Sequence, residues 1–250
     1  MADLESACSE AVGKEVPAGC HQLGVSLSQA QLNLLAAYCA LLLVRNQTLN
    51  LTALRDPYEV ARRHFLDALT LMPAIQGEQA AVPLSVVDVG SGAGLPGMVL
   101  AIAQPEWRVT LVESNGKKAA FMQATAEKLH IGNVTVIAER AETVGRSDLR
   151  DHFDLAVARA VASTPVLVEY CAPLVRPRGQ IALYKSGDAD EETGSAAEAT
   201  AALSMAPMPP LPVPRSLGLG EDRFLLRFEK RGPTPDGFPR RPGVARRRPL

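Results

Sequence analysis

The sequence predicts an α/β protein with a doubly wound, mostly parallel sheet and a helical N-terminal cap. Short β-branched runs alternate with helical stretches from Leu84 onward, which is typical of parallel strands joined by crossover helices. The residues before the first of these runs have helical periodicity, and a glycine-rich turn directly follows that run. The 250 residues are enough for one large domain with a real core.

The composition excludes several other classes of protein. An apolar fraction of 47% with 21% charged residues is too apolar for a chain that is disordered throughout. The longest apolar run, residues 34–44, is well short of the ~20 residues that a membrane-spanning helix needs. The four cysteines have no metal-binding spacing and predict free thiols and no metal site. No secretory signal opens the sequence, so we expect a cytoplasmic protein that does not bind membranes.

The first third of the chain is predicted to be mostly helical. Residues 1–27 are acidic and lack periodicity, so we expect a loosely ordered extension. Ser28 is a candidate N-cap for the first cap helix, and Asp56-Pro57 has the composition of a second helix start. Residues 28–80 are therefore the predicted cap.

Residues 81–231 are predicted to form the sheet domain. The predicted strands are 85–89, 108–112, 134–137, 155–158, 180–184 and 223–229. The predicted helices lie near 97–104, 116–130, 164–174 and 188–205, and the proline-rich stretch 207–214 is expected to be an extended connection. Ligands of such sheets bind beyond the carboxyl ends of the strands, so functional residues are expected there.

The turn after the first strand carries the strongest functional signal, Asp88-Val89-Gly90-Ser91-Gly92-Ala93-Gly94-Leu95-Pro96-Gly97. Glycines allow a sharp turn and a close approach of the backbone to a ligand, and helix N-terminal amides attract anionic groups. Read from Gly92, the segment matches G-x-G-x-x-G, so a dinucleotide site of an NAD(P)-dependent oxidoreductase is one interpretation.

Two acidic residues favour a different nucleotide. Asp88 precedes the glycines, where a negative charge suits a cationic ligand and is unfavourable beside a pyrophosphate. Glu113 closes the second strand, where a carboxylate can accept hydrogen bonds from ribose hydroxyls in either kind of site. With Asp88, Gly90, Gly92 and Gly94, the pattern resembles the S-adenosylmethionine loop of class I methyltransferases, which have a Rossmann-like fold.

The chain from about residue 28 onward resembles the RsmG (GidB) family of small-subunit ribosomal RNA guanine-N7 methyltransferases. The resemblance is carried by the glycine loop and by the segments N-L-T-A-L-R-D-P (50–57), R-H-F-L-D (63–67), A-R-A (158–160), L-Y-K (183–185) and F-P-R-R-P-G (238–243). It implies S-adenosylmethionine as cofactor and small-subunit ribosomal RNA, or the ribosomal subunit, as partner. The cofactor contacts that it implies are Gly90, Leu95, Ala141, Glu142 and Arg159.

No catalytic acid or base is predicted for this reaction, because guanine N7 has a lone pair and no proton to lose. Catalysis then depends on holding the reacting atoms in line and excluding water. The candidates for positioning the substrate are Arg159, Lys185, Arg63, His64 and Asn50. Each also has a structural interpretation, as a surface ion pair for the cations or as a turn or cap residue for Asn50.

The formal net charge of −1 conceals an uneven distribution. Residues 215–250 contain ten Lys and Arg against four Asp and Glu, a net of +6, so the rest of the chain carries −7. Residues 232–250 are the predicted basic Pro/Arg tail, which either contacts RNA phosphates or serves as a solubilising extension. The RNA-binding candidates in it are Arg240, Arg241, Arg246, Arg247 and Arg248. We expect removal of this tail to weaken RNA binding and to leave cofactor binding intact.

We expect a monomeric methyltransferase. Two other functions are compatible with the same sequence patterns. One is the NAD(P)-dependent oxidoreductase, which binding of S-adenosylhomocysteine without binding of NAD(P)H would exclude. The other is a non-catalytic RNA-binding or assembly factor that keeps the fold. Aromatic residues make up only 4% of the chain, so no aromatic-rich RNA-binding signature supports the second.

Overall fold

The computed structural model describes residues 2–75 and 83–250 and contains a seven-stranded sheet with helices on both faces. The strands are β1 (Ser85–Val89), β2 (Arg108–Val112), β3 (Val134–Ile137), β4 (Phe153–Arg159), β5 (Val175–Ser186), β6 (Met205–Pro212) and β7 (Arg223–Lys230). Their order across the sheet is β3-β2-β1-β4-β5-β7-β6, and β7 runs antiparallel to both of its neighbours. The predicted doubly wound, mostly parallel sheet is confirmed.

The helices form two layers around this sheet. They are α1 (Ala2–Leu23), α2 (Gln29–Asn46), α3 (Pro57–Val60), α4 (Asp67–Leu69), α5 (Gly97–Ala103), α6 (Gly116–Lys128), α7 (Ala141–Val144), α8 (Thr164–Cys171), α9 (Ala189–Ser195), α10 (Ala197–Ala202) and α11 (Val244–Arg247). Side chains of β1 point to both faces of the sheet. Val86 packs on one face with the cap, α5 and α6. Val87 and Val89 pack on the other face with α7, α8 and α10. Among the described helices, none combines the length and apolar character that crossing a membrane requires.

The cap helices start where the sequence predicts. Ser28 caps α2 through a reciprocal pair with Gln31, in which the Ser28 hydroxyl accepts from the Gln31 amide and the Gln31 side chain accepts from the Ser28 amide. Asp56 caps α3 by accepting a hydrogen bond from the Glu59 amide at 3.0 Å. The predicted boundary between residues 80 and 81 lies outside the described residues.

The expectation of a loosely ordered extension at residues 1–27 is wrong for most of that segment, because Ala2–Leu23 forms a packed helix. Its buried face consists of Cys8, Ala11, Val12, Val16, Gly19, Cys20 and Leu23. These positions have helical spacing, but most of the side chains are small, which weakens the periodic signal. At Gly19 a Cβ would lie 2.3 Å from a methyl group of Leu66, so α1 packs directly against the rest of the cap.

The proline-rich stretch is a strand and not only a connection. Residues 205–212 form β6, which pairs with β7 on one side and lies at the edge of the sheet. An edge strand tolerates proline because the ring nitrogen, which cannot donate, can face away from the partner strand. The sequence pattern misses this strand because prolines argue against every strand position except the edge.

Candidate functional site

The glycine loop between β1 and α5 depends on its glycines for two different reasons. Gly90, Gly92 and Gly94 have φ angles of 72°, 60° and 95°, in the region that side chains disfavour. A Cβ at Gly90 would lie 2.7 Å from Val161, so the loop that follows β4 approaches the backbone closely there. A Cβ at Gly92 would meet no atom closer than 3.9 Å and would enter open space. The open side of Gly92 is therefore the side where a ligand has room.

Asp88 lies fully buried beneath this loop with only one carboxylate oxygen satisfied. Its Oδ2 accepts from the Gly97 amide at 2.8 Å, while Oδ1 has no hydrogen-bond partner among the described residues. Burial raises the pKa of this carboxyl to about 7. The amide at the start of α5 is thus taken by a carboxylate, which disfavours a pyrophosphate there and leaves an oxygen suited to a cationic ligand.

The raised pKa of Asp88 predicts a pH-dependent stability of unusual sign for a carboxyl group. The pKa of Asp88 in the folded protein lies above the unfolded value of 3.8. The contribution of this carboxyl to the unfolding free energy is therefore fully present below pH 3.8 and is lost as the pH rises toward 7. Between pH 4 and pH 7, we expect wild type to lose about 3 kcal/mol of unfolding free energy relative to Asp88→Asn. Urea unfolding of both proteins across this range measures the difference. A constant difference would contradict the raised pKa.

Glu113 connects the end of β2 to the glycine loop. Its Oε2 accepts from the Gly92 amide at 2.9 Å and its Oε1 accepts from the Asn115 amide at 2.7 Å. A carboxylate has about four acceptor positions, so both oxygens can still accept from ribose hydroxyls. Glu113 therefore shapes the loop and remains able to bind a ligand.

The cap contributes a contact to this loop that the sequence patterns do not identify. The buried Tyr38 hydroxyl of α2 donates to the Ala93 carbonyl at 2.7 Å. A Cβ at Gly94 would lie 3.1 Å from the same hydroxyl oxygen. Helix α2 therefore holds the glycine loop from the cap side, and its sequence offers no signal beyond a tyrosine in an apolar run.

Arg159, at the carboxyl end of β4, is fixed by the cap. Its Nη1 donates to Asp67 Oδ2 at 2.8 Å, and the Arg159 and Asp67 side chains are only 11% and 2% exposed. The other carboxylate oxygen of Asp67 pairs with Arg223 on β7. Asp67 is thus the shared counter-ion of two arginines, a role that sequence reasoning misses although the residue ends the R-H-F-L-D segment.

His64 completes the contact between the cap and Arg159. Its Nδ1 lies 3.2 Å from Arg159 Nη2, and its Nε2 lies 2.7 Å from the Thr52 hydroxyl. Nδ1 also lies 3.2 Å from the Arg63 carbonyl. A neutral ring carries one proton, so Nδ1 can either accept from the guanidinium or donate to this carbonyl, depending on the tautomer. Burial and the neighbouring Arg159 charge lower the pKa of His64 to about 3, so the ring is neutral at pH 7.

A π-helical turn interrupts the predicted second cap helix and places these groups. Residues 61–66 form the turn, in which the Asp67 amide reaches the Arg62 carbonyl five residues back. The carbonyl of Arg63 then lies 3.4 Å and that of His64 3.5 Å from Arg159 Nη1. The wider turn therefore presents backbone acceptors and the Asp67 carboxylate to the same guanidinium.

The remaining substrate-positioning candidates are not gathered at this cluster. Arg63 is 55% exposed and its guanidinium lies 3.5 Å from Glu59, on the solvent side of the cap. Asn50 is exposed in the loop after α2. Lys185 is paired at 3.0 Å with Glu192 in the first turn of α9. These three positions stay predictions for RNA contact.

The two cofactor contacts predicted after β3 have different surroundings. Ala141 is buried at the start of α7 and shares a core cluster with Val89 and Val112. Glu142 is 2% exposed, and its Oε1 accepts from the Gly243 amide of the C-terminal tail at 2.7 Å. Ala141 thus lies beside the strands that carry the glycine loop, whereas the Glu142 carboxylate is engaged by the tail.

The tail arginines also divide into two kinds. Arg240 donates from Nε to both oxygens of the buried Glu169, at 2.8 and 3.1 Å, and is unavailable as an RNA contact in this arrangement. The exposed tail arginines are Arg241, Arg246, Arg247 and Arg248.

Within residues 2–75 and 83–250, no group of three or more His, Cys, Asp or Glu is arranged to hold a metal ion.

Comparison with known sequences identifies a family. The model of the GidB family, described as rRNA small subunit methyltransferase G, matches residues 31–209. A ribosomal RNA small subunit methyltransferase G of Sorangium cellulosum is 46% identical over 174 residues, which are 70% of this chain and 72% of the relative. The protein of the same name from Pelotomaculum thermopropionicum is 38% identical over 242 residues, 96% of this chain and 99% of the relative.

Solved structures support the same fold at low sequence identity. A 16S rRNA (adenine(1408)-N(1))-methyltransferase variant from Catenulisporales acidiphilia is 18% identical with a TM-score of 0.50, over 62% of this chain and 89% of the other. A SAM-dependent methyltransferase from Aquifex aeolicus is 15% identical with the same TM-score, over 70% of this chain and 93% of the other. This chain therefore shares its α/β architecture with these methyltransferases.

Proposed function

The chain belongs to the rRNA small subunit methyltransferase G family, and on that premise we propose that it transfers a methyl group from S-adenosylmethionine to N7 of a guanine in small-subunit ribosomal RNA. The family and the fold make it an S-adenosylmethionine-dependent ribosomal RNA methyltransferase. The cofactor assignment is carried by the buried, unpaired Oδ1 of Asp88, at the end of the strand that leads into the glycine loop, together with the open space at Gly92. This pair suits a cationic nucleoside better than a dinucleotide.

Different residues of the site would bind different parts of the cofactor. Gly90, Gly92, Gly94 and Leu95 would form the loop against which it lies, and Asp88 would offer the unpaired carboxylate oxygen to its positive charge. Glu113 would accept hydrogen bonds from the ribose hydroxyls. When bound, S-adenosylmethionine supplies an electrophilic methyl group.

The chain's own residues then need to orient the guanine and exclude water. N7 attacks with a lone pair, so no residue has to remove a proton, which agrees with a neutral His64 that has both ring nitrogens engaged. Arg159, held by Asp67 and His64, is the proposed group that positions the substrate or the cofactor carboxylate. The contribution to catalysis is therefore mainly orientation.

Methyl transfer to RNA tests this function. We expect labelled methyl from S-adenosylmethionine to enter small-subunit RNA, presented as naked RNA, as small subunits or as whole ribosomes, and mass spectrometry to identify N7-methylguanine. No labelled product with any of the three would contradict the proposed function. A different methylated base would contradict the guanine-N7 assignment alone.

We also propose that the exposed arginines of the tail bind RNA phosphates. Replacing Arg246, Arg247 and Arg248 by alanine is expected to weaken binding of small-subunit RNA. The slope of log K against log salt should fall in magnitude by about 2, because each phosphate contact contributes about 0.7 to 0.9. Arg108→Ala, an exposed arginine at the amino end of β2 and so at the opposite edge of the sheet, is the control and should leave the slope unchanged. An unchanged slope in the triple variant would assign the tail no RNA contact.

The place of action follows from the substrate. We propose that the protein acts in the cytoplasm, on ribosomal RNA present there, and that it does so as a monomer. Sedimentation of the purified chain tests the second statement.

A further inference from the structure

Residues 232–250, here called the C-terminal strap, are tied to the segment between β3 and β4 by arginines of that segment. Arg150 donates from Nη2 to the carbonyls of Thr234 and Pro235 at 2.9 and 3.0 Å, and from Nη1 to that of Phe238 at 2.5 Å. Arg146 donates to the Pro239 carbonyl. These guanidiniums use their donors on strap backbone, so they serve as internal ties.

A carboxylate of the same segment also contacts the strap, here as an acceptor and not as a donor. The Glu142 side chain accepts from the Gly243 amide at 2.7 Å in a nearly fully buried position. At Gly145 a Cβ would lie 3.1 Å from a ring carbon of Pro239, so strap and segment are also in close packing contact. Residues 142–150 thus have both polar and apolar contacts with the strap.

Two buried charges, Glu169 and Lys230, also fix the strap. Glu169 of α8, which is 1% exposed, accepts from the Arg240 amide at 3.2 Å as well as from the Arg240 guanidinium. The fully buried Lys230 ammonium donates to the carbonyls of Ala172 and Val175 at 2.6 and 2.7 Å and also pairs with Asp151 and the Thr234 hydroxyl. Because charge-assisted hydrogen bonds are roughly twice as strong as neutral ones, the strap is firmly docked.

We propose that the C-terminal strap is a positioning element of the cofactor site. It holds residues 139–147, which follow β3, and Glu142 acts through Gly243 without touching the cofactor. In this segment Ala141 shares a core cluster with Val89 and Val112, the last residues of the strands that lead into the glycine loop and Glu113. The proposal rests on the proposed function and on Ala141 as the cofactor contact that the family resemblance implies. It replaces the expectation that the tail is independent of cofactor binding. Removing residues 232–250 would take away the strap partners of Arg146, Arg150, Glu142 and Glu169.

The experiment uses the full-length chain with Arg150→Ala and, as control, Arg231→Ala. Arg231 precedes the strap and its side chain is 63% exposed. In the protein without ligand, we expect Arg150→Ala to raise hydrogen exchange in residues 139–147 and to leave the peptides covering β1 and β2 unchanged. Calorimetric titration should show S-adenosylhomocysteine binding weakened about tenfold, the usual size of coupling between two sites. Arg231→Ala should match wild type in both measurements.

The two measurements separate this proposal from the function on which it rests. Wild-type exchange in residues 139–147 of Arg150→Ala would overturn the strap as a positioning element, and so would unchanged S-adenosylhomocysteine affinity together with raised exchange. Raised exchange over the whole sheet would also overturn it, because it would show general destabilisation. Failure of wild type itself to bind S-adenosylhomocysteine would overturn the cofactor assignment, while the exchange result would still decide whether the strap orders the segment.

Discussion

Gly92→Asp is expected to weaken S-adenosylhomocysteine binding by at least about a hundredfold, which corresponds to about 2.7 kcal/mol. The new side chain would enter the open space on the ligand side of the glycine loop. Its charge would also lie near the Glu113 carboxylate, which already accepts from the residue 92 amide. Steric exclusion and like-charge repulsion therefore act together, and methyl transfer to RNA should be lost with cofactor binding.

The control for this variant is Gly24→Asp. Gly24 has a φ of 64°, close to the 60° of Gly92, and a Cβ there would meet no atom within 4 Å. Both variants should lose about 1 kcal/mol of unfolding free energy from the left-handed backbone, and only Gly92→Asp should lose ligand binding. Wild-type affinity in a folded Gly92→Asp protein would contradict this location of the cofactor. An unchanged cellular effect of the inactive variant would favour the non-catalytic assembly factor.

Asp67→Asn is expected to cost about 3 kcal/mol of stability, because removing one member of a buried ion pair leaves an uncompensated charge. Here two guanidiniums lose their shared counter-ion, and the Arg159 and Arg223 side chains are only 11% and 24% exposed. Asparagine keeps the shape of the side chain, so little of the loss comes from packing. Chemical denaturation measures the change, and methyl transfer should fall because Arg159 is no longer held.

The matched substitution for Asp67→Asn is Asp222→Asn. Asp222 also pairs with an arginine, Arg215, at 2.8 Å, but the two side chains are 57% and 73% exposed. Exposed pairs contribute little, so we expect a loss below about 1 kcal/mol. Equal losses in the two variants would show that burial does not set the strength of the Asp67 cluster.

The parts of the fold that depend on local pattern could be predicted from the sequence. The bounds of β1, β2 and β3 are those predicted, because each is a short β-branched run bounded by turn residues. Helix α1 and strand β6 could not be predicted. The first buries mainly small side chains, and the second contains prolines that only an edge position tolerates.

The candidate site shows the same division. Asp88 and Glu113 could be found because strand ends and glycine spacing mark them within one local segment. The roles of Asp67, Glu169 and Arg150 arise from residues distant in sequence, such as the 92 positions between Asp67 and Arg159. Local patterns carry no information on such pairs, and a charged residue with a buried partner looks like any solvated one.

The position of β7 has a consequence for how the chain folds during synthesis. Strand β7 lies between β5 and β6, although it is the last strand to be made. While the chain emerges from its amino end, β6 has no neighbour with which to pair, and the β5 edge stays open until residues 223–230 arrive. The sheet is completed only after residues 223–230 have emerged, so the edge formed by β7 and β6 is the last part of the sheet to become resistant to proteolysis.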